Sequence, residues 1–91
     1  MRTRGCYHRA WLPSPALVFE DHGFQLAGRG VWRSALCPFH EDSRPSLRVN
    51  VESGAFRCMA CGAAGGDVVD FVRKYRGLSF VETVQLLGAW G

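Results

Sequence analysis

Leu47, Val49 and Val51 alternate with Arg48 and Asn50, and Phe56 and Cys58 alternate with Arg57 and Met59. Period-two alternation of this kind marks half-buried strands, and Ser53-Gly54 between them is a turn dipeptide. A two-residue loop at Ser53 and Gly54 sets Val51 opposite Phe56 and Val49 opposite Cys58, with Asn50 opposite Arg57 and Arg48 opposite Met59. One face of the hairpin is then apolar and the other presents Arg48, Asn50, Arg57 and Met59 to solvent. A three-residue loop would set Val49 beside Arg57 and mix the faces, so the two-residue loop is preferred. Upstream, the run VWRSAL after Gly28-Arg29-Gly30 predicts another strand, ending at Cys37.

The flanks carry helical signals instead. Ser14 and Pro15 open a short helix over about Pro15 to His22, with Leu17, Val18 and Phe19 apolar and Gly23 after the last turn. After a glycine-rich stretch, Asp67 stands as an N-cap, and Val68, Phe71, Val72 and Tyr75 recur at helical spacing before Gly77. Ser79 and Glu82 form a capping box for a last helix whose Phe80, Val84 and Leu87 face its predecessor. The first dozen residues show no period and carry Arg2, Arg4 and Arg9. They are expected as a basic arm, residues 1–13, ahead of a folded unit spanning 14–91. The fold class is α+β, a short antiparallel sheet flanked by helices.

At 91 residues the chain holds one small core, and burial offsets the entropy of ordering only narrowly. Such a domain needs a staple. Cys37 and His40 form a Cys-x2-His pair, and after a gap of 17 residues Cys58 and Cys61 form a Cys-x2-Cys pair. Each spacing lets a tight turn aim two side chains at one ion, and the hairpin between brings the pairs together. A disulfide framework requires an oxidising compartment and leaves His40 without a role. A thioredoxin-like redox pair requires a strand-to-helix setting for which the chain is too short. One structural Zn2+ on four protein ligands is the expectation, with no open position for a catalytic water.

The formal charge is +3, and ten of the eleven cations are Arg, which suits forked contacts to phosphate. At 47% hydrophobic and 21% charged residues, with no apolar run of spanning length, membrane insertion and wholesale disorder are excluded. The broken apolar run after the N-terminus makes a poor signal peptide, and a cytoplasmic location is expected.

The segments CPFHEDSRPSLRVN, FRCMACGAAGGDVVDFV and GLSFVETVQLL together resemble the Cys-His-Cys-Cys zinc ribbon of bacterial and phage-type DNA primases, over roughly Phe24 to Leu87. The resemblance implies a ribbon that touches single-stranded template DNA during primer initiation, beside a separate polymerase domain with a TOPRIM fold. Met59 stands where the family usually has an aromatic, and Ser43-Arg44-Pro45-Ser46-Leu47 where it tends to have Lys-Thr-Pro-Ser-Phe. A ribbon of this extent resembles small proteins of mobile elements, or an excised domain.

The expected role is thus a zinc-binding, single-stranded-DNA-binding module working with a separate primase or polymerase chain. Arg33, Arg44, Arg48, Asn50, Arg57 and Met59 are the candidate strand contacts. The other reading is an adaptor that docks a replication polymerase or helicase without touching DNA. Its signature would be Trp11, Trp32 and Trp90 exposed; Trp32 is expected to pack on the ribbon instead, while Trp11 and Trp90 near the ends could go either way. Independent catalysis is not expected. Glu41 and Asp42 sit in the ligand loop, Asp67 is a cap and Asp70 a helix-surface residue, so no carboxylates converge on a metal-nucleotide site. His8 and His22 read as surface or cap residues.

Overall fold

The computed structural model describes residues 5–39 and 45–91. The expectations for Arg2, Arg4, His40, Glu41, Asp42 and Arg44 lie outside the described residues. A single helical turn at Arg9–Trp11 precedes α1 (Pro15–Asp21), β1 (Trp32–Ala35), β2 (Leu47–Asn50), β3 (Phe56–Cys58), β4 (Ala64–Gly65), α2 (Val68–Arg76) and α3 (Phe80–Leu86). The four strands form one antiparallel sheet in chain order. The α+β architecture is therefore the one the sequence predicts, with β4 added where a plain glycine-rich linker was expected.

The β2–β3 register differs from the expected one. Leu47 pairs with Cys58, Arg48 with Arg57 and Val49 with Phe56, a shift of two residues. The loop is longer than two residues because the Asn50 side chain organises it. Its Oδ1 accepts from the backbone N–H of both Glu52 and Ser53 at 2.9 Å, and Gly54 N donates to Asn50 O at 2.8 Å. This is an Asx-type turn. Gly54 adopts φ +82, and a Cβ there would lie 2.8 Å from Val68 N, so the hairpin tip sits directly under the start of α2. Because side chains alternate with period two, a slip of two leaves both faces as expected. Val51 leaves the strand, and its N–H reaches Val31 O instead.

The inner face of the sheet supplies Ala35, Leu47, Val49, Phe56 and Cys58 to a core closed by Val18 and Phe19 of α1 and Val68, Phe71 and Val72 of α2. Phe71 is the hub, with ring centroids 4.5 Å from Phe19, 5.4 Å from Phe24, 5.8 Å from Phe39 and 5.2 Å from Phe56. Asp67 caps α2 by accepting from Asp70 N at 2.9 Å, and Gly77 ends it in the left-handed region. The capping box of α3 is formed on both sides, Glu82 N to Ser79 Oγ at 3.1 Å and Ser79 N to Glu82 Oε1 at 2.9 Å. Ser14 occupies the N-cap position of α1 without a side-chain hydrogen bond, and Pro15 starts that helix by its fixed φ.

A second cluster, Val69, Val84 and Ala89, packs with Tyr7, Leu12, Leu87 and Trp90. Residues 5–12 are consequently not a loose arm. Tyr7 bridges Trp90, Cys6 N donates to Gly91 O at 2.9 Å and His8 N to Ala89 O at 2.8 Å. Burial of Tyr7 and Leu12 against α3 holds the segment that charge alone assigns to solvent. Phe80 meets the Tyr7 ring edge-on at 5.2 Å.

Phe71→Ala is expected to cost about 3–5 kcal/mol, the usual range for emptying a buried aromatic site. Thermal unfolding against wild type measures it, and a Met59→Ala control at an exposed position should leave the midpoint in place.

Candidate metal centre and sheet face

Three of the four expected ligands converge. The Sγ atoms of Cys37, Cys58 and Cys61 all lie within 4.8 Å of one another. Cys37 arrives at the end of β1 and Cys58 at the end of β3, both buried, while Cys61 follows in an exposed turn. That turn closes by Cys61 N donating to Cys58 Sγ at 3.4 Å and Gly62 N to Cys58 O at 3.0 Å. Ser46 Oγ, which sequence reasoning did not single out, lies 3.6 Å from Cys58 Sγ.

The separation fits the ion. Sulfurs bound tetrahedrally at about 2.3 Å stand about 3.8 Å apart, and Cys37 Sγ lies 3.8 Å from Cys61 Sγ. Burial pushes the Cys37 thiol up to about 12, the Cys58 and Cys61 thiols add to the rise, and the Phe39 backbone opposes it. Three sulfurs so placed become thiolates when a cation among them compensates the desolvation. Cys37, Cys58 and Cys61 would hold the metal, and the chemistry of the donor set is that of zinc.

The outer face of the sheet is set by the same strands. Arg48 and Arg57 are direct cross-strand partners, flanked in their row by Ser34 and Ala64, and both guanidinium side chains are exposed. Met59, 67% exposed, follows β3 on this face, paired through its N–H to Ser46 O at 2.9 Å. Trp32 pairs with Asn50 and is 45% exposed, while Leu36 is 51% exposed. The expectation that Trp32 packs on the ribbon is thereby corrected. Parity held the signal: residues 33, 35 and 37 share the face that carries Cys37 to the metal, so 32, 34 and 36 point the other way.

The same parity turns Arg33 to the inner row, whereas Asn50 shares the outer row with Trp32. Arg33 pairs with Val49 of the inner row, is half-buried, and its Nε donates to Gly30 O at 3.2 Å. Asn50 has its carbonyl oxygen committed to the turn. His22 is a helix-end cap, its Nδ1 donating to Val18 O at 2.8 Å. Among the described residues, no helix is long and apolar enough to cross a membrane.

Zinc uptake by the metal-free protein is expected to release protons and to weaken as the pH falls, since the thiols must lose theirs first. A titration in weakly buffered solution checks this, and Cys58→Ser should reduce the uptake. Uptake without proton release would contradict the thiolate site.

Residues 17–90 match the CHC2 zinc finger family. Over 69 residues the chain is 47% identical to the DNA primase of Escherichia coli, covering 76% of this chain and 12% of that protein. Over 52 residues it is 50% identical to the DNA primase of Mycolicibacterium smegmatis, covering 57% of this chain and 8% of that protein. Its fold matches the crystal structure of the Aquifex aeolicus primase, zinc-binding and RNA polymerase domains. The TM-score is 0.71 at 31% identity, over 82% of this chain and 18% of that one. The chain thus spans a small fraction of the length of each relative it matches.

Proposed function

Because this chain belongs to the CHC2 zinc finger family of DNA primases, we propose that it is a zinc-stapled module that binds single-stranded DNA and assists primer initiation beside a primase or polymerase chain. What supports the DNA contact is the Arg48–Arg57 pair. Like charges directly opposite on a sheet destabilise it, yet among the described residues neither guanidinium is paired with a carboxylate. An anionic strand relieves that repulsion. Forked guanidinium contacts to phosphate act together with the exposed Trp32 ring and the Met59 thioether, flat or adaptable surfaces for unpaired bases.

One Zn2+ per chain, held by Cys37, Cys58 and Cys61 with His40 as the fourth ligand, keeps β1 and β3 joined below that face. Two carboxylates at the start of α2 serve the fold in this reading. Asp67 caps α2, and Asp70 Oδ2 accepts from Gly66 N at 2.9 Å. Polymerisation falls to the partner chain. One observation favours the adaptor reading as a second role: Trp11, 52% exposed, stacks on His8 at a centroid distance of 3.7 Å and stands open to a protein partner.

Replacing Arg48 and Arg57 together by Ala is expected to weaken binding to an oligothymidylate. It should also flatten the log-log salt dependence by about 1.4, near 0.7 for each phosphate left unneutralised. Zinc content should hold, and the melting temperature should hold or rise as the repulsion is removed. Binding as tight as wild type at every salt concentration would leave the adaptor reading, which Trp11→Ala tests by loss of primase or helicase binding.

A further inference from the structure

The row that carries Arg48 and Arg57 continues one strand further. Ala64 of the edge strand β4 is the cross-strand partner of Arg57, and it is exposed and small. Strands are about 4.8 Å apart, so a chain laid across the row reaches the sheet edge about 10 Å beyond Arg48. The same Ala64 lines an open groove of about 500 Å³ whose other wall is Asp70, Arg73 and Lys74 of α2 with Gly77 and Leu78 just after the helix.

The charge in this groove exceeds what the helix end requires. The last turn of α2 carries three cations, Arg73, Lys74 and Arg76, against about half a negative charge at a helix C-terminus, and Arg76 lines a different cleft with His22 and Leu86. Asp70 is engaged with Gly66 N. Arg73 makes one long contact, Nε to Leu78 O at 3.5 Å, which leaves its outer N–H groups available. Lys74 Nζ sits 5.7 Å from the Phe39 ring centroid, held over the loop that follows Cys37. Both side chains are exposed, and among the described residues no carboxylate pairs with either.

We propose that Arg73 and Lys74 form a second phosphate-binding subsite, which takes the single strand leaving the Arg48–Arg57 row as it turns round the β4 edge at Ala64. This rests on the single-strand reading above. It makes the binding path longer than the sheet face and places part of it on α2, beside the metal loop.

The test compares wild type, Arg48→Ala/Arg57→Ala and Arg73→Ala/Lys74→Ala on oligothymidylates of about 4 and about 16 nucleotides. For the α2 variant, the expected result on the longer strand is weaker binding with a salt slope shallower by about 1.4. The loss should shrink on the short strand, with zinc content and melting temperature retained. Arg73→Gln/Lys74→Gln replaces the alanine variant if that one melts early. Wild type that binds no single strand removes the sheet reading and this one with it. Wild-type binding that depends on Arg48 and Arg57 but is equal in the α2 variant at both lengths overturns the second subsite alone. A loss restricted to capture of polyglutamate, with strand binding intact, assigns the groove to an acidic protein segment and overturns the proposal too.

Discussion

The register of β2 against β3 is the constraint on which the rest of this small domain depends. Asn50 folds the hairpin loop onto its own side chain, and Gly54 at its tip lies where no side chain fits beneath α2. With the loop closed this way, Cys58 stands opposite Leu47, two strands from the end of β1 where Cys37 emerges. The sulfur cluster, the inner apolar row and the outer arginine pair are three consequences of one pairing. A slip by a single residue would turn Cys58 to solvent and an arginine into the core.

Around that sheet the apolar surface is divided unequally. Phe71 gathers rings from α1, the metal loop and β3, so the helix that follows the second cysteine pair is fastened to the elements that precede the first. On the far side of α2, Val69 meets Val84 and Ala89, and the chain's beginning closes this smaller cluster through the Tyr7–Trp90 bridge. A chain of this size has little surface to bury. It uses both sides of one helix and both of its described ends.

The electrostatics invert the usual economy of a sheet surface. Opposite charges across strands would stabilise the hairpin, whereas Arg48 faces Arg57 and the hairpin is weaker for it. In the proposed single-strand contact an anionic ligand would relieve that repulsion, and the exposed Trp32 and Met59 on the same face would supply the uncharged part.

Much of this was legible in the sequence. Cysteine spacing singles out Cys37, Cys58 and Cys61, whose sulfurs the structure gathers, because two-residue gaps restrict what a turn can aim at one ion. Alternation names the two hairpin faces, and the caps at Asp67 and Ser79 name the helices, because each signal acts within a few residues of itself. The loop length, the β4 edge strand, the docking of residues 5–12 and the outward turn of Trp32 were settled only by tertiary structure. Asn50 ends β2 opposite Trp32 while its side chain organises the turn, and that turn brings Gly54 under Val68. Tyr7 sits among arginines in the sequence yet packs on α3, since that partner lies at the other end of the chain. Local patterns carry the period of a face, whereas the identity of what covers the face is a contact between distant residues, and that contact exists only once the core has closed.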